Sequence, residues 1–327
     1  MKSILFALLP GLLSCSQGAD LAVNRLFGVS AEAPVFLSCA SASPDQVDFA
    51  FSLPVKVGRL NFEPPLAVAS ITEGERVRVT LHERLAPGER VAADILVEDS
   101  RRNTLNVLVP FRARNDRLPG FIITELRTEY SKPKVEFVEI KITSAGNLGA
   151  LRLFIGSSGM EAPVFEFPPT EVRAGEYVVI HLRTIEEGLV NEAGADLAAS
   201  KGADALPDAR DFWVSGSKKR LRSTDAVFFM DQDGRVLDAV VMSASPDTWG
   251  GKTALPEVMD FLSQQGAWAG KSAGFISPAD GVASKGATAT RTVCRDEAAR
   301  DTNRAGNWYI AATRGATPGK PNTTRRF

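Results

Sequence analysis

The chemistry open to this chain is limited by its few strong nucleophiles, bases and metal ligands. Its 327 residues include two histidines and three cysteines, too few for a multi-ligand zinc or haem site. Ser215-Gly-Ser-Lys218 has the spacing of a nucleophile and its base, but it lacks the companion motifs and a helical setting. His82 and His181 fall within alternating apolar runs, where a lone histidine is typical of a strand face. We therefore predict no catalytic residues, no metal site and no cofactor.

Two acidic segments could offer oxygen ligands to a cation. Asp231-Gln-Asp-Gly234 resembles the start of a calcium loop, but Arg235 and an apolar run occupy the positions of the further ligands. Asp-Gly between two apolar runs instead predicts a hairpin, because the turn needs a positive φ. The segment 185–211 is expected to be a solvated loop, with a cation site as the alternative. Its acidic residues are Glu186, Glu187, Glu192, Asp196, Asp204, Asp208 and Asp211.

Candidate interaction residues come from one basic cluster and two tryptophans. The cluster, 218–222, could bind phosphate, lipid head groups or a polyanion, or its charges could protect a strand edge from pairing. The tryptophans lie in or beside a long insertion, where aromatic side chains at loop tips often anchor interfaces; packing against a neighbouring helix is the alternative. The candidate residues are Lys218, Lys219, Arg220, Arg222, Trp249 and Trp268.

Composition and charge exclude other classes of function. The chain has 38 Lys and Arg against 39 Asp and Glu, a formal net charge of −1. This balance argues against a dedicated nucleic-acid binder, whose affinity depends on neutralising phosphates. A hydrophobic fraction of 44% and a charged fraction of 24% are typical of a soluble globular protein. The length suggests two domains, each able to bury its own core.

The N-terminal segment predicts export and membrane anchoring. Residues 4–13 are an apolar run, shorter than the roughly 20 residues that span a bilayer and similar to the core of a signal peptide. Leu12-Leu13-Ser14-Cys15 resembles a bacterial lipobox, which implies cleavage before Cys15 and its lipidation. We predict a signal peptide over 1–14, a lipidated cysteine and tether over 15–29, and a place in the cell envelope, at the outer membrane. An ordinary secretory signal with an incidental cysteine is the alternative.

Export also bears on the two remaining cysteines, Cys39 and Cys294. An oxidising compartment favours disulfide formation between an even pair. The two residues fall in different predicted domains, however, so we favour two small buried thiols.

A first all-β domain is predicted over residues 30–118. Apolar and polar residues alternate with a period of two, which indicates half-buried strands, and turn signals such as Pro87-Gly88 separate the runs. The runs are 47–53, 77–81, 91–97 and 105–111. Short strands about every ten residues favour an antiparallel sandwich of immunoglobulin type. The segment resembles the bacterial Ig-like repeats of exported proteins, on Phe49-Ala-Phe-Ser-Leu-Pro-Val55, Leu85-Ala-Pro-Gly88 and Val97-Glu-Asp-Ser…Asn103-Thr-Leu105.

A second all-β domain is predicted over residues 120–325. Its ordered motifs are Ile122-Ile-Thr-Glu-Leu126, Val135-Glu-Phe-Val-Glu-Ile140, Ala174-Gly-Glu-Tyr-Val-Val-Ile180, Asp233-Gly-Arg-Val-Leu-Asp238 and the closing Arg295…Asp301-Thr-Asn303…Asn307-Trp308…Thr317-Pro-Gly-Lys-Pro-Asn322. Together they resemble the lamin tail domain, an Ig-like sandwich widespread in exported bacterial proteins. Segments 185–211 and 243–286 are read as insertions, the second with a helix that starts at Pro256 and ends by Gly266.

The sequence thus predicts an all-β protein of two Ig-like β-sandwich domains in tandem, the second lamin-tail-like with loop and helix insertions. The resemblance implies binding and tethering, and we predict a lipid-anchored, non-enzymatic envelope protein. Its second domain would present an interaction or adhesion surface to an unidentified protein or glycan, with no nucleic-acid partner. One alternative is an envelope hydrolase that uses carboxylates from the inserted loops, which a pocket with two convergent carboxylates of opposed pKa shift would favour. The other is a purely structural envelope component.

Overall fold

The computed structural model describes residues 33–272 and 274–327. The predicted signal peptide and the predicted lipidation site, Cys15, lie outside the described residues. Over the described residues the chain is all-β, as predicted, with one α-helix and three short 3-10 turns. It forms two compact units, one from Val91–Phe111 with the residues up to Arg84, the other from Leu85–Arg90 and Arg112–Phe327.

Six strands are described in the first unit. They are β1 (Phe36–Ser43), β2 (Gln46–Glu63), β3 (Val68–Thr72), β4 (Gly74–Leu81), β5 (Arg90–Asp99) and β6 (Thr104–Arg112). Their hydrogen-bonded order is β3-β4-β2-β5-β6, and β1 also pairs with β2. The four alternating runs predicted from the sequence lie in β2, β4, β5 and β6, so these strand predictions are confirmed.

The period-two pattern decides which faces of these strands are buried. In β4, Val77 and Val79 are fully buried whereas Arg76 and Arg78 on the other face are exposed. Strand β2 is 18 residues long. Its residues 46–51 pair with β1, its residues 46–50 and Val55 pair with β4, and its residues 55–63 pair with β5. Register shifts fall near the point where its partners change, as expected of bulges that bend a strand.

The second unit contains the remaining thirteen described strands. They are β7 (Gly120–Arg127), β8 (Phe137–Ser144), β9 (Gly146–Asn147), β10 (Arg152–Ile155), β11 (Phe165–Glu166), β12 (Glu171–Val172), β13 (Tyr177–His181), β14 (Arg210–Trp213), β15 (Asp225–Met230), β16 (Val236–Ser243), β17 (Val282–Ala283), β18 (Val293–Arg295) and β19 (Trp308–Ile310). One sheet has the order β14-β13-β8-β7-β18-β19, another has the order β11-β10-β15-β16-β17, and β12 with β9 forms a short ribbon.

Apolar residues from the two large sheets of the second unit form one continuous core. Aromatic rings fill much of it: Phe154 stacks on Phe228 with 5.3 Å between ring centroids, and Phe167 meets Phe212 edge to face at 5.0 Å. This arrangement is that of a β-sandwich. Assignment of both units to the Ig-like class stays a prediction.

Two local predictions in the second unit are confirmed. Strands β15 and β16 form an antiparallel hairpin at the predicted Asp-Gly turn, with Gly234 at a φ of 81°. The Asp231 carboxylate accepts the N–H groups of Asp233 and Arg235, so it serves the turn. The helix α1 (Leu255–Gln264) carries a proline in its first turn, and Gly266 follows it at a φ of 65°. No helix among the described residues has the length and apolar character needed to cross a membrane.

Candidate functional site

The segment 185–211 is fastened to the second unit by buried polar contacts. The Glu192 carboxylate, in a residue 2% exposed, accepts the N–H groups of Ser200 at 3.0 Å and Asp211 at 2.8 Å. Asn191 Oδ1 accepts the N–H of Trp213 at 2.7 Å. These two side chains thus occupy main-chain donors of β14, which is the edge strand of its sheet. The expectation of a solvated loop is wrong for Glu192 and Asp211, because both work as internal acceptors.

His181 lies at the centre of this attachment. Its ring stacks on Trp213 with 3.8 Å between centroids, and its Nε2 lies 2.9 Å from Oδ1 of Asp211. Its Nδ1 is 3.7 Å from Oδ2 of Asp204, which in turn accepts Nη1 of Arg127 at 2.7 Å. Asp204 is also internal rather than solvated. These contacts join the insertion to β7 and β13. In residues 33–272 and 274–327 no group of three His, Cys, Asp or Glu side chains is placed to hold a metal ion.

Two residues of the predicted basic cluster are held by local contacts. Lys219 Nζ pairs with Glu129 at 2.8 Å. Arg220 donates to the carbonyl oxygens of Leu182 at 2.8 Å and Ser215 at 2.6 Å. Burial lowers the pKa of Arg220, and the neighbouring Arg183 adds to this effect. The other two basic residues, Lys218 and Arg222, are exposed. The segment is the loop between β14 and β15, so the prediction of a strand edge is wrong, and the binding role of the cluster stays a prediction.

The two candidate tryptophans have packing roles. Trp268 is 2% exposed, and its Nε1 donates to the carbonyl oxygen of Asp280 at 3.1 Å. It belongs to the main core of the second unit, so the prediction that it anchors a partner is wrong. Trp249 is partly buried against the same core. The same core includes the buried residues of α1, which agrees with the alternative considered from the sequence, packing against a helix.

The two cysteines of the described chain are free thiols. Burial raises the pKa of Cys39 to about 12, with a contribution from Asp48. Burial also raises the pKa of Cys294, and the carboxyl of Glu125 adds to the effect. Since the thiolate is the reactive form, both side chains are held in their unreactive state. The expectation of two buried thiols is confirmed for Cys294 and wrong for Cys39, which is only half-buried.

The closing motif 317–322 covers a pair of buried carboxyl groups. Glu125 on β7 and Glu139 on β8 are cross-strand partners, and both are fully buried. The main-chain N–H of Thr317 donates to Glu125 at 3.1 Å, and that of Gly319 donates to Glu139 at 2.5 Å. The amide of Asn322 donates to the carbonyl oxygen of Thr124 at 2.8 Å. The motif therefore fixes the C-terminal segment across β7 and β8.

Both carboxyl groups of this pair have raised pKa values. Burial raises the pKa of Glu125 to about 7. Burial also raises the pKa of Glu139 well above its usual value, and the charge of Glu125 adds to that effect. The shifts have the same direction, and main-chain segments cover both groups. The pair therefore lacks the opposed pKa shifts and the open pocket that would favour a hydrolase.

A second part of the closing motif is an internal ion pair. Arg295 Nη2 lies 2.8 Å from both carboxylate oxygens of Asp238, and the guanidinium stands 4.8 Å from the ring centroid of Trp308. Asp301 pairs with Nη1 of Arg295 at 2.7 Å. Asp238 also accepts the N–H of Ile123 at 2.6 Å. These motif residues join β16, β18 and β7, so their role is structural.

A half-open groove of about 520 Å³ lies between the insertion and the β9–β12 ribbon. This volume falls within the range of about 300–1,000 Å³ found for small-ligand sites. One wall is formed by insertion residues 193–195 and 197, and the opposite side by residues near β9, β12 and the turn that precedes β13. Its lining residues are Asn147, Pro169, Glu171, Arg173, Glu176, Ala193, Gly194, Ala195, Leu197 and Arg210.

Arg210 is the most strongly fixed charged residue of the groove. It is 4% exposed. Its Nε pairs with Glu176 at 2.7 Å, and its Nη1 donates to the carbonyl oxygens of Glu192 and, at 2.6 Å, Gly194. A single guanidinium thereby ties the insertion to β14 and faces the groove. No sequence signal singled out this residue, because its partners are main-chain carbonyls that only the folded insertion brings together.

The match to a family model falls on the second unit. Residues 119–310 match the family described as "TP_1001_2nd: protein second domain", which is more than half of the chain. The chain belongs to this family. The TP_1001 second-domain match runs from just before β7 to the end of β19, so it includes the groove and stops before the motif 317–322. The resemblance to the lamin tail domain stays a prediction.

A relative of this chain is a protein of Treponema pallidum (strain Nichols) described as uncharacterized. It is 28% identical, over 55% of this chain and 48% of the relative. The chain thus spans about half the length of that protein.

Two solved structures show a weak likeness. The N-terminal part of the bacterial S-layer protein SbsC has a TM-score of 0.26 and 13% identity, over 69% of this chain and 46% of that chain. L,D-transpeptidase 3 from Mycobacterium tuberculosis has a TM-score of 0.18 and 9% identity, over 57% of this chain and 92% of that chain. At these TM-scores neither likeness supports an inference about fold or function.

Proposed function

We propose that the chain is an exported, lipid-anchored cell-envelope protein that binds a ligand in the groove of its second unit and catalyses no reaction. The lipobox-like Cys15 supports the anchor, and the outer membrane is the proposed location. The observation that carries the binding role is the groove of about 520 Å³ with the buried Arg210 in its wall.

The rigidity of the groove supports binding. A recognition site works best when its contact groups are held in place before the ligand arrives, because ordering them afterwards costs free energy. Here Glu192 and Asn191 hold the insertion onto β14, and Arg210 fixes the insertion carbonyls. Glu171 on β12 is held by Asn147, whose Nδ2 donates to it at 2.9 Å. Both sides of the groove are thus preformed.

The proposal is tested by native mass spectrometry of the full-length protein. The protein is produced in a bacterial host that processes lipoproteins and extracted from its envelope in mild detergent. The wild type is expected to carry a bound molecule, detected as an added mass that is lost on mild activation. Ala195→Trp, which fills the groove, is expected to lose that mass. Ala299→Trp is the matched control, because Ala299 is exposed outside the groove.

Two results would count against the proposal. A wild type without added mass after exposure to a complete envelope extract would favour the purely structural alternative. The same added mass in Ala195→Trp would place the bound molecule elsewhere on the protein.

A further inference from the structure

The groove contains hydrogen-bond donors that the described part of the protein leaves unused. A guanidinium has five N–H groups. Among the described residues, Arg210 donates from Nε to Glu176 and from Nη1 to the carbonyl oxygens of Glu192 and Gly194. The two N–H groups of Nη2 therefore remain for a ligand in the groove that Arg210 lines.

Arg173 supplies a second free cation at the same groove. Its side chain is exposed, and no carboxylate of residues 33–272 and 274–327 lies within ion-pair distance of its guanidinium. Its main-chain N–H, at 3.2 Å from Glu176 Oε2, holds the turn that carries it. A charged side chain fixed at its base and free at its tip is suited to meeting a ligand.

The two carboxylates of the groove are already neutralised by protein groups. Glu176 pairs with Arg210. Glu171 pairs with Arg117, and this contact, with that of Asn147, lowers the pKa of Glu171. The arginine donors of the groove are therefore available to a ligand, whereas its two carboxylates are already paired with protein groups. Planar guanidinium groups bind carboxylate and phosphate oxygens in a paired geometry, so the expected ligand carries an oxyanion.

The rest of the lining favours a saccharide over a peptide. An extended peptide would add to the edge of the sheet through main-chain hydrogen bonds. Along β14 the N–H groups of Asp211 and Trp213 are already taken by Glu192 and Asn191. The apolar part of the lining consists of small or aliphatic residues, namely Pro169, Ala193, Gly194, Ala195 and Leu197, against which the apolar face of a sugar ring can pack.

We infer that this groove binds an anionic saccharide, whose carboxylate or phosphate group is held by Arg173 and by Nη2 of Arg210. The sugar ring lies against Pro169 and Leu197. The inference rests on the proposed function, since it names the ligand class of the same groove.

The test is calorimetric titration of the full-length protein in detergent at pH 7 and low salt. The probes are trigalacturonate for the carboxylate, glucose 6-phosphate for the phosphate, and maltotriose as the neutral control. At least one anionic probe is expected to bind, and maltotriose is not. Arg173→Ala is expected to weaken that binding by at least about tenfold, the loss typical of one hydrogen bond to a charged group. Arg300→Ala, which removes an exposed arginine outside the groove, is expected to bind as the wild type does.

The inference is overturned if neither anionic probe binds, if maltotriose binds equally well, or if Arg173→Ala and Arg300→Ala bind alike. Equal binding of an acidic peptide such as triglutamate would refute the saccharide class. These failures are distinct from failure of the proposed function: an added mass that Ala195→Trp abolishes would still establish a ligand of another class.

Discussion

The buried pair Glu125 and Glu139 predicts that the second unit loses stability as the pH rises. Burial raises the folded-state pKa of Glu125 to about 7 from its ordinary value of 4.5. A group whose pKa is raised on folding favours the folded state fully at pH values below its unfolded pKa. That contribution is lost as the pH rises through the folded pKa. The pKa of Glu139 is also raised, so both groups act in the same direction.

The size of the effect follows from proton linkage. At pH 5 the unfolded chain has released most of the Glu125 proton while the folded unit keeps it, and by pH 7.5 the folded unit has largely released it as well. With pKa values of 4.5 and about 7, this costs about 2 kcal/mol of unfolding free energy. Glu139 adds a cost of the same sign. Glu139→Gln removes one titrating group and the repulsion between the two, so its pH dependence is expected to be clearly smaller than that of the wild type.

The assay is urea unfolding at pH 5 and pH 7.5, followed by tryptophan fluorescence. All four tryptophans of the sequence lie beyond residue 212, so the signal reports on the second unit. Glu187→Gln is the matched control, because Glu187 is exposed in the insertion. Equal pH dependence in the wild type and in Glu139→Gln would refute the reasoning, since the pair would then be ionised in the folded state at both pH values.

Three further predictions concern the anchor, the internal ion pair and the insertion. Cys15→Ala is expected to abolish fatty-acid labelling and to move the protein from the membrane to the soluble fraction; persistent labelling would contradict the anchor. Asp238→Ala leaves the 3% exposed Arg295 short of its main partner, and we expect a loss of about 3 kcal/mol in urea unfolding. Asp301→Ala, at the 40% exposed partner, should lose less than about 1 kcal/mol; equal losses would show that burial does not set the cost. Glu192→Ala is expected to expose the insertion to limited proteolysis within 185–211, whereas Glu187→Ala should leave the cleavage rate unchanged, and similar rates would contradict the attachment.

Local patterns in the sequence were enough to predict much of the fold. The alternation of apolar and polar residues over 77–81 places one face of β4 in the core whatever its partners are. The Asp-Gly pair at 233–234 predicts a hairpin because the turn conformation depends on those two residues. The helix is likewise predicted from local residues, because a proline marks its start and a glycine follows its end.

The candidate site could not be predicted in this way, because its side chains are set by distant partners. From the sequence alone, Glu192 is predicted to be a solvated loop residue. Its buried role follows only from folding, which places the N–H groups of Ser200 and Asp211 against its carboxylate. The pairing of Glu125 with Glu139 follows a register shift after Ile123, and no sequence pattern marks that shift. Arg210 lies 63 positions from Asn147 on the opposite side of the groove. Charge in a long insertion is therefore a poor guide to solvation.

The capped edge at β14 has a consequence for self-association. The side chains of Asn191 and Glu192 take the N–H groups of Trp213 and Asp211, so another copy of the chain finds few main-chain donors there with which to extend the sheet. We therefore expect that copies of the chain at high concentration do not form fibres through the edge of β14. Removing Asn191 and Glu192 from the insertion would free these two N–H groups, and we expect such a variant to pair more readily through the edge of β14.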